Sequence, residues 1–369
     1  MSHEKRSAII GGGAVGLTAA YDLARRGENV TLFERGSIGS GSTGRAAGVL
    51  YDAYAEDRDA EIGQRTIERF RAFSGKSGFQ FHETPYVWFA HKGDEKRASA
   101  IRKQVSRMQT HGIDAELLEC EELAALTPTL ETDDVSVAAI AQNAGWTEPA
   151  TYAELMAEKS GDEGVEIRTA TPVSLSDGGV RVGDRTELFE AVIVAAGAHT
   201  KRIVESADYD LAMKPYRVQA LVLDTEVETP MGYDATEGFY FRPHPEGLLV
   251  GDGTEEGESD PDEWDREADE EFVESALERV GERFKTAEST VERAWAGLCT
   301  ATPDGDPLLG WLSDDVFVAT GFQGHGFMRA PAFGERIAAE VRDKEYSEFD
   351  PKRFSGDEEF SITEGMAIE

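Results

Sequence analysis

The N-terminal pattern of apolar residues predicts a strand, a helix and a second strand. Ser7–Ile10 form a short apolar run, apolar residues then recur every three or four positions from Leu17 to Ala24, and Asn29–Phe33 form another apolar run. Short continuous runs are typical of buried strands, and the wider spacing is typical of an amphipathic helix. Gly27 stands where such a helix ends. We therefore predict that the first 35 residues form one βαβ unit.

Beyond this unit, helical stripes of apolar residues alternate with strand-like runs. The same rules predict helices within 62–73, 101–108, 272–284 and from Ala330, and strands within 86–90, 191–196, 218–222 and 316–320. Glutamates occupy the face opposite the apolar stripe of 272–284, so we interpret that charge run as a solvated helix face. Because 369 residues exceed the usual size of one core, we expect two lobes or one large composite domain.

The turn between the first strand and the first helix has the spacing G-x-G-x-x-G. Gly11 permits the tight turn, Gly13 lets the backbone approach a pyrophosphate, and Gly16 lets the helix and strand pack closely. The phosphates would then meet the positive end of the helix dipole. Glu34 follows Gly16 by 18 residues, where a carboxylate can accept hydrogen bonds from an adenosine ribose. The arrangement predicts dinucleotide binding, and the alternative is a glycine turn of purely structural use.

Two further glycine-rich segments favour a flavin over NAD. Gly36–Val49, with the sequence GSIGSGSTGRAAGV, can present many backbone N–H groups to an anionic or carbonyl-bearing ligand. An isoalloxazine ring extends beyond the pyrophosphate and needs such a cradle, whereas a nicotinamide dinucleotide has no obvious need for it at this point. Gly321–Met328 leads into the last predicted helix, and a helix N-terminus suits the anionic edge of a reduced flavin.

The charge balance excludes several classes of partner. The chain has 72 Asp and Glu against 37 Lys and Arg, a net charge of −35, and 11 of its basic residues are Lys. Nucleic acids and anionic membrane surfaces would be repelled. An evenly acidic, lysine-poor chain is typical of proteins from salt-loaded cytoplasm, so we expect a halophilic source, a haloarchaeon; the alternative is an ordinary acidic protein.

Cysteine and hydropathy patterns indicate where the protein acts. Cys120 and Cys299 cannot form a disulfide framework, which predicts a reduced, cytoplasmic setting. No apolar run approaches the ~18 residues of a membrane span. The seven histidines lack metal-binding spacing, so we expect no metal.

Taken together, the motifs resemble the glycine/D-amino-acid oxidase superfamily of FAD-dependent oxidoreductases. The segments that carry the resemblance are Gly11–Gly16 with Glu34 and Arg35, GSGSTGRAAG at 39–48, VIVAAGAHT at 192–200, YFRPHPEGLLVG at 240–251, WAGLCTATPDGDPLLG at 295–310 and GFQGHGFMRAP at 321–331. They span the chain in the family's order. The Gly-His-Gly-Phe-Met segment is most similar to the branch of sarcosine oxidases and L-proline dehydrogenase β subunits.

The resemblance implies an α/β composite fold with two discontinuous domains. A Rossmann-like FAD-binding domain of the glutathione-reductase type would comprise 1–78, 144–215 and 296–369. A substrate domain built on an antiparallel sheet would comprise 79–143 and 216–295.

The resemblance also implies which residues contact FAD. Besides Gly11, Gly13 and Gly16 of the turn, the expected contacts are Ala14 and Val15 at the pyrophosphate, Glu34 and Arg35 at the adenosine, Ser42, Thr43, Arg45, Ala46, Ala47 and Gly48 at the flavin, Val173 at the adenine, Ala196 and Gly197 beneath the cofactor, and Gly324, His325, Gly326, Phe327 and Met328 over the pyrimidine edge.

At several positions this sequence differs from the family pattern, and these differences change what we expect of the flavin and the substrate site. Arg45 stands where dimethylglycine dehydrogenases have a flavin-linking His, and Gly297 stands where monomeric sarcosine oxidase has a flavin-linking Cys. We therefore expect non-covalent FAD. The carboxylate-binding Arg and Lys of glycine oxidase and monomeric sarcosine oxidase are replaced by Cys299 and Met328, and Leu249 replaces an oxygen-activating Lys.

The implied activity is oxidation of the C–N bond of an amino acid or N-alkyl amino acid by hydride transfer to flavin N5. In so acidic a chain, an anionic substrate needs arginine. The candidates for substrate contact or chemistry are Arg242, Arg217, Arg45, Tyr240 and His325; the alternative for each is an ion pair, a cap or ordinary packing. A subunit or electron-acceptor partner is also expected. The alternative functions are a 2-hydroxy-acid or glycerol-phosphate dehydrogenase and a non-catalytic assembly or electron-transfer flavoprotein.

Overall fold

The computed structural model describes residues 5–285, 289–343 and 348–363, so the outermost ends of the predicted domain ranges lie outside the described residues. Its helices are α1 (Ala14–Arg25), α2 (Asp57–Phe73), α3 (Glu95–Thr110), α4 (Cys120–Leu126), α5 (Pro149–Asp162), α6 (Thr200–Glu205), α7 (Glu270–Arg283) and α8 (Gly326–Asp343). Short 3-10 helices occupy Ser42–Arg45, Gly197–His199 and Pro351–Arg353.

The strands of the described chain are β1 (Arg6–Ile10), β2 (Asn29–Phe33), β3 (Val49–Tyr51), β4 (His82–Glu83), β5 (Tyr86–His91), β6 (Ala115–Leu118), β7 (Val135–Ala141), β8 (Ala144–Trp146), β9 (Glu166–Arg168), β10 (Val173–Ser176), β11 (Gly179–Val182), β12 (Arg185–Leu188), β13 (Ala191–Val194), β14 (Lys214–Asp224), β15 (Met231–Asp234), β16 (Phe239–His244), β17 (Gly247–Thr254), β18 (Thr290–Ala301), β19 (Leu308–Trp311) and β20 (Val316–Thr320).

The first large sheet has six strands in the order β19-β20-β13-β1-β2-β9. All of its neighbouring strands are parallel except the edge pair β19 and β20. Residues 7–10 of β1 are buried on both faces, as expected for the centre of a parallel sheet. Helix α1 packs against α8 so closely that a Cβ added to Gly334 would lie 2.4 Å from the Cγ2 of Thr18.

The second large sheet has eight strands in the order β18-β14-β17-β16-β15-β5-β7-β6. Its neighbours are antiparallel apart from β15 and β5. Phe239 and Phe241 bury one face of this sheet against α7, together with Phe272 and Phe284. The strands of this sheet come from 86–141 and 214–301, which follows the two ranges predicted for the substrate domain except that β14 begins and β18 ends beyond them.

Two small sheets, β10-β11-β12 and β3-β8-β4, complete the strand pairing of the described residues. The pairing of β3 with β8 joins the end of the glycine-rich 36–49 segment to the start of α5. Within the described part of the chain, no helix is both long enough and apolar enough to cross a membrane.

Candidate functional site

A cavity of about 750 Å³ is lined by residues of both large sheets. Its lining includes Gly11 at the end of β1, Ala195 at the end of β13 and Ala319 in β20. From the eight-stranded sheet it includes Tyr216 and Tyr240. The carboxyl ends of the parallel strands therefore open into the same space as one face of the antiparallel sheet, which is where α/β folds place ligands.

The glycine turn before α1 forms part of the cavity wall. Gly11 has a φ of +120°, and an added Cβ would lie 2.4 Å from the carbonyl oxygen of Ala195. A Cβ on Gly16 would lie 2.1 Å from the carbonyl oxygen of Gly11, so this glycine allows close packing and does not itself line the cavity. The first turn of α1 has no acidic residue. These features fit a pyrophosphate at the helix N-terminus.

Glu34 holds the two backbone turns at Gly12 and Gly36. Its Oε2 accepts a hydrogen bond from the backbone N–H of Gly12 at 2.8 Å, and its Oε1 accepts from Gly36 at 2.7 Å. A carboxylate has about four lone-pair sites, so capacity remains for a ribose hydroxyl. The neighbouring Arg35 donates to Asp262 at 3.2 Å instead of extending freely into the cavity.

The Ser42–Gly48 segment is held by contacts to α1 and to β18. Thr43 Oγ1 accepts a hydrogen bond from Ala14 N at 3.0 Å, and Ser42 Oγ donates to the carbonyl oxygen of Leu298 at 2.6 Å. Arg45 lies beside β18, where a Cβ added to Gly297 would be 3.4 Å from the Cβ of Arg45. Arg45 and Gly297, the two positions from which the sequence predicted non-covalent FAD, therefore lie next to each other.

The second glycine turn places His325 in the cavity wall at the start of α8. The side chain is buried, and its Nε2 has no hydrogen-bond partner among the described residues. Burial, and then the positive charge of Arg329, lowers the pKa of His325 to about 3. The imidazole is therefore neutral at neutral pH, and it can contribute a hydrogen bond to a ligand but no positive charge.

The wall that carries Tyr216 is backed by the C-terminal segment. Ile362 packs against Tyr216 and Ala301. The Gln323 side chain, next to the second glycine turn, donates to the carbonyl oxygen of Thr363. Sequence reasoning assigned no role to this segment, because a short run after the last helix carries no local signal of what it covers.

Of the residues expected to contact FAD, all except Gly16 line the cavity; these are Gly11, Gly13, Ala14, Val15, Glu34, Arg35, Ser42, Thr43, Arg45, Ala46, Ala47, Gly48, Val173, Ala196, Gly197, Gly324, His325, Gly326, Phe327 and Met328. The close glycine turns, the acid-free helix start and the fixed 42–48 segment fit FAD, with the glycine turn at its pyrophosphate and Glu34 at its ribose.

The substrate candidates divide into two groups. Arg45, Tyr240 and His325 line the cavity, whereas Arg242 and Arg217 do not. Substrate binding by Arg242 and Arg217 therefore lacks support in this geometry, and both arginines have other partners.

Arg242 connects β16 to two other segments of the chain. It is 1% exposed, and it donates to the carbonyl oxygen of Ala47 at 2.5 Å and to Glu148 Oε1 at 2.9 Å. Its guanidinium also lies 4.7 Å from the centre of the Trp146 ring. These contacts join β16 to the 42–48 segment and to the N-terminus of α5, which explains why so deeply buried a cation is retained.

Arg217 holds a segment that we call the acidic strap, residues 255–269. It pairs with Glu255 and Asp269, and its Nε donates to the carbonyl oxygen of Asp265 at 3.0 Å. Within the strap, Pro261, Asp262, Trp264 and Arg266 line the cavity. Sequence reasoning treated this acid-rich stretch only as surface charge.

Asp262 connects the acidic strap to residues that follow β2 and β13. Its carboxylate accepts from Arg35 at 3.2 Å, from Arg202, and from His199 Nε2 at 3.1 Å. Asp260 pairs with Arg202 as well. The strap therefore crosses the cavity from β17 to the residues that follow β2 and β13, over the end that holds Glu34.

Comparisons with known proteins agree on the family. The family model described as FAD dependent oxidoreductase (DAO) matches residues 6–340. Glycine oxidase from Bacillus licheniformis is 26% identical over 348 residues, covering 89% of this chain and 91% of that protein. Sarcosine oxidase subunit beta from Arthrobacter is 24% identical over 357 residues, covering 91% of this chain and 87% of the relative.

A solved structure is similar over nearly the whole chain. The crystal structure of L-proline dehydrogenase from P. horikoshii superposes with a TM-score of 0.84 at 26% identity, covering 96% of this chain and 98% of the other. This superposition confirms the predicted fold class, and the family match confirms FAD as the cofactor.

Proposed function

The chain belongs to the DAO family of FAD-dependent oxidoreductases, and on that premise we propose that it oxidises the C–N bond of an amino acid or N-alkyl amino acid. The support is that relatives across the length of the chain are named for glycine, sarcosine and L-proline as substrates. The resemblance of the Gly-His-Gly-Phe-Met segment further favours the sarcosine oxidase and proline dehydrogenase branch.

The main observation behind this proposal is that a single cavity is lined by two different parts of the fold. At one end are the Gly11–Gly16 turn and Glu34, and at the other are Tyr216, Tyr240 and Cys299 of the eight-stranded sheet. A cofactor bound along the first wall would therefore present its reactive end to a small molecule at the second. In the proposed division of the chain, 1–78, 144–215 and 296–369 bind FAD, while 79–143 and 216–295 bind substrate.

When bound, FAD supplies a two-electron acceptor for the hydride that leaves the substrate carbon. The protein's part is to orient the substrate and exclude water. Trp264 and Arg266 of the acidic strap line the cavity together with the aromatic rings of Tyr216, Tyr240 and Trp295, and we place the substrate among these residues. His325 is neutral, and it can accept a hydrogen bond through Nε2 without repelling a protonated or neutral amine.

The start of α8 supplies the counter-charge for an anionic cofactor edge. Helix α8 begins at Gly326, its first turn has no acidic residue, and the first N–H groups of a helix have no intrahelical partner. Gly326, Phe327 and Met328 all line the cavity. Their backbone N–H groups can therefore stabilise negative charge without any ionised side chain.

We further propose that FAD is held without a covalent bond, since Arg45 and Gly297 occupy the linking positions. The halophilic source and the cytoplasmic location also remain proposals. They rest on the charge of −35 and on the presence of two cysteines in 369 residues. A subunit partner is suggested by the similarity to a sarcosine oxidase β subunit.

Anaerobic bleaching of the purified yellow protein tests the function. Glycine, sarcosine, proline and D-amino acids are compared with 2-hydroxy acids and glycerol phosphate, all in molar salt. Bleaching by amines alone supports the proposal. Bleaching by hydroxy acids or glycerol phosphate alone would replace it with the alternative dehydrogenase. A stable partner and no bleaching by any small molecule would favour an assembly or electron-transfer role.

A further inference from the structure

The four arginines that line the cavity differ in whether a carboxylate neutralises them. Arg35 and Arg202 both pair with Asp262. Arg45 and Arg266 have no carboxylate within ion-pair distance among the residues that the structure describes, although the chain carries 72 acidic residues. An unneutralised arginine pair on a cavity wall of so acidic a protein requires an explanation.

Both guanidinium groups lie near one indole ring, and Arg45 Nη1 donates to the carbonyl oxygen of Arg266 at 3.5 Å. Arg45 lies 5.6 Å and Arg266 5.2 Å from the centre of the Trp264 ring. Burial first, and then the charge of Arg266, lowers the pKa of Arg45, while Glu267 opposes this from beyond ion-pair distance. Arg45 is half-buried and Arg266 is exposed, and a bound anion would stabilise both of these mutually repelling cations.

Arg45 is positioned by the backbone of β18. Its Nη1 donates to the carbonyl oxygen of Ala296 at 3.0 Å, and its own carbonyl oxygen accepts from Trp295 Nε1 at 2.9 Å. The carbonyl oxygen of Arg266 in turn accepts from Ala296 N at 2.9 Å. Ala296 therefore contacts both arginines. The hydrogen bonds of the Arg45 guanidinium to Ala296 and Arg266 engage Nη1, and its other donors can face a ligand.

From this arrangement we infer that Arg45 and Arg266 bind the carboxylate of the substrate. The inference rests on the proposed function and adds to it the two residues that bind the carboxylate of the amino acid. Guanidinium groups match a carboxylate with two parallel hydrogen bonds. Trp264 and Trp295 supply an apolar surface beside them for the body of such a substrate.

The first test compares an amino acid with its methyl ester, which keeps the amine and loses the negative charge. The wild-type protein should be reduced at far lower concentrations of the acid than of the ester. Arg45→Gln and Arg266→Gln should each raise the KM for the acid by roughly 10- to 100-fold, as expected for loss of a charged hydrogen bond. Neither variant should change the KM for the ester.

The matched control is Arg293→Gln, which removes the same charge from β18, the strand whose Ala296 contacts both arginines. Arg293 stacks on Trp295 at 4.8 Å from the ring centre and does not line the cavity. Its replacement should leave the KM for the acid within about twofold, the size of a small change in long-range steering. An equal rise in all three variants would overturn the inference in favour of general electrostatics.

A binding measurement separates substrate binding from catalysis and from cofactor binding. Calorimetric titration of the FAD-loaded protein with acetate, a carboxylate that carries no amine, should give binding that Arg45→Gln and Arg266→Gln abolish; acetamide should not bind. Loss of FAD from either variant would assign the arginines to the cofactor and overturn the inference. If no amine bleaches the wild-type protein, the proposed function fails, whereas bleaching with unchanged variants defeats only the arginine assignment.

Discussion

Replacing Asp262 with asparagine should loosen the acidic strap where it lies over the end of the cavity that holds Glu34. The Asp262 carboxylate accepts from Arg35 at 3.2 Å, from His199 at 3.1 Å and from Arg202. Asparagine keeps the size of the side chain and loses the negative charge. All three contacts should weaken together, because they converge on one carboxylate.

The size of the effect follows from how exposed these groups are. The side chains of Asp262 and Arg35 are 48% and 55% exposed, so water screens their attraction. Burial, followed by the charge of Arg35, lowers the pKa of His199, which leaves a neutral hydrogen bond there at pH 7. Exposed ion pairs contribute about 0.2–1 kcal/mol each. We therefore expect a total loss of about 1–2 kcal/mol, or roughly 5- to 30-fold faster FAD release.

Release can be followed by the rise in flavin fluorescence after dilution of the FAD-loaded protein. Glu258→Gln is the matched control, because it removes one charge from the same strap and Glu258 lies 4.0 Å from Lys201. The difference between Asp262→Asn and wild type should shrink near 1 M salt, where the Debye length is about 3 Å. Equal release rates in wild type and Asp262→Asn would refute the reasoning, as would an equal acceleration in Glu258→Gln.

Four further outcomes are expected. Acid precipitation should release all yellow colour into the supernatant, because Arg45 and Gly297 occupy the linking positions; colour kept in the pellet would mean a covalent bond. The Tm should rise between 0.1 M and 1 M KCl, as the Debye length falls from about 10 to 3 Å and screens the −35 charge; an unchanged Tm would contradict the halophilic interpretation. Arg242→Met should lower the free energy of unfolding by about 2–3 kcal/mol, since Glu148 and the Ala47 carbonyl lose their partner, with little change in KM; a raised KM at unchanged Tm would return Arg242 to the substrate site. The pKa of His325 is about 3 in the folded state and ~6.5 unfolded, so its stabilising effect is full above pH 6.5 and is lost as the pH falls toward 3; between pH 7 and 5 the wild type should lose about 2 kcal/mol more in urea unfolding than His325→Gln, and equal losses would contradict this.

Nearly all of the residues that local motifs predicted to contact FAD line the cavity. The Gly11–Gly16 turn, Glu34 and the 42–48 segment lie within the first 48 residues, so their spacing largely determines their geometry. Apolar periodicity also predicted α1, β1 and β2 close to their observed bounds. Prediction and structure agree best where the residues that contact each other are close in the sequence.

Arg217 and Arg242, which the sequence predicted to contact substrate, do not line the cavity, and their side chains are held by distant partners. On β14, Tyr216, Val218, Gln219 and Ala220 line the cavity and Arg217 does not, while the pairing of β14 with β17 shifts register between Val218 and Gln219. The alternation of apolar residues in the sequence therefore did not by itself show which residues of this strand reach the cavity. No local signal marked Arg242 either, because its partners Ala47 and Glu148 are 195 and 94 residues away.

The order of strands in the six-stranded sheet has a consequence for synthesis on the ribosome. Strand β1 lies between β2 and β13, and β13 lies next to β20, which is made after residue 315. The second glycine turn lines the cavity, and the 362–363 segment packs behind it. The nascent chain therefore has no finished binding site until these residues have left the ribosome. Cofactor capture should follow translation, and until then the apolar faces of β1 remain exposed to chaperones and to aggregation.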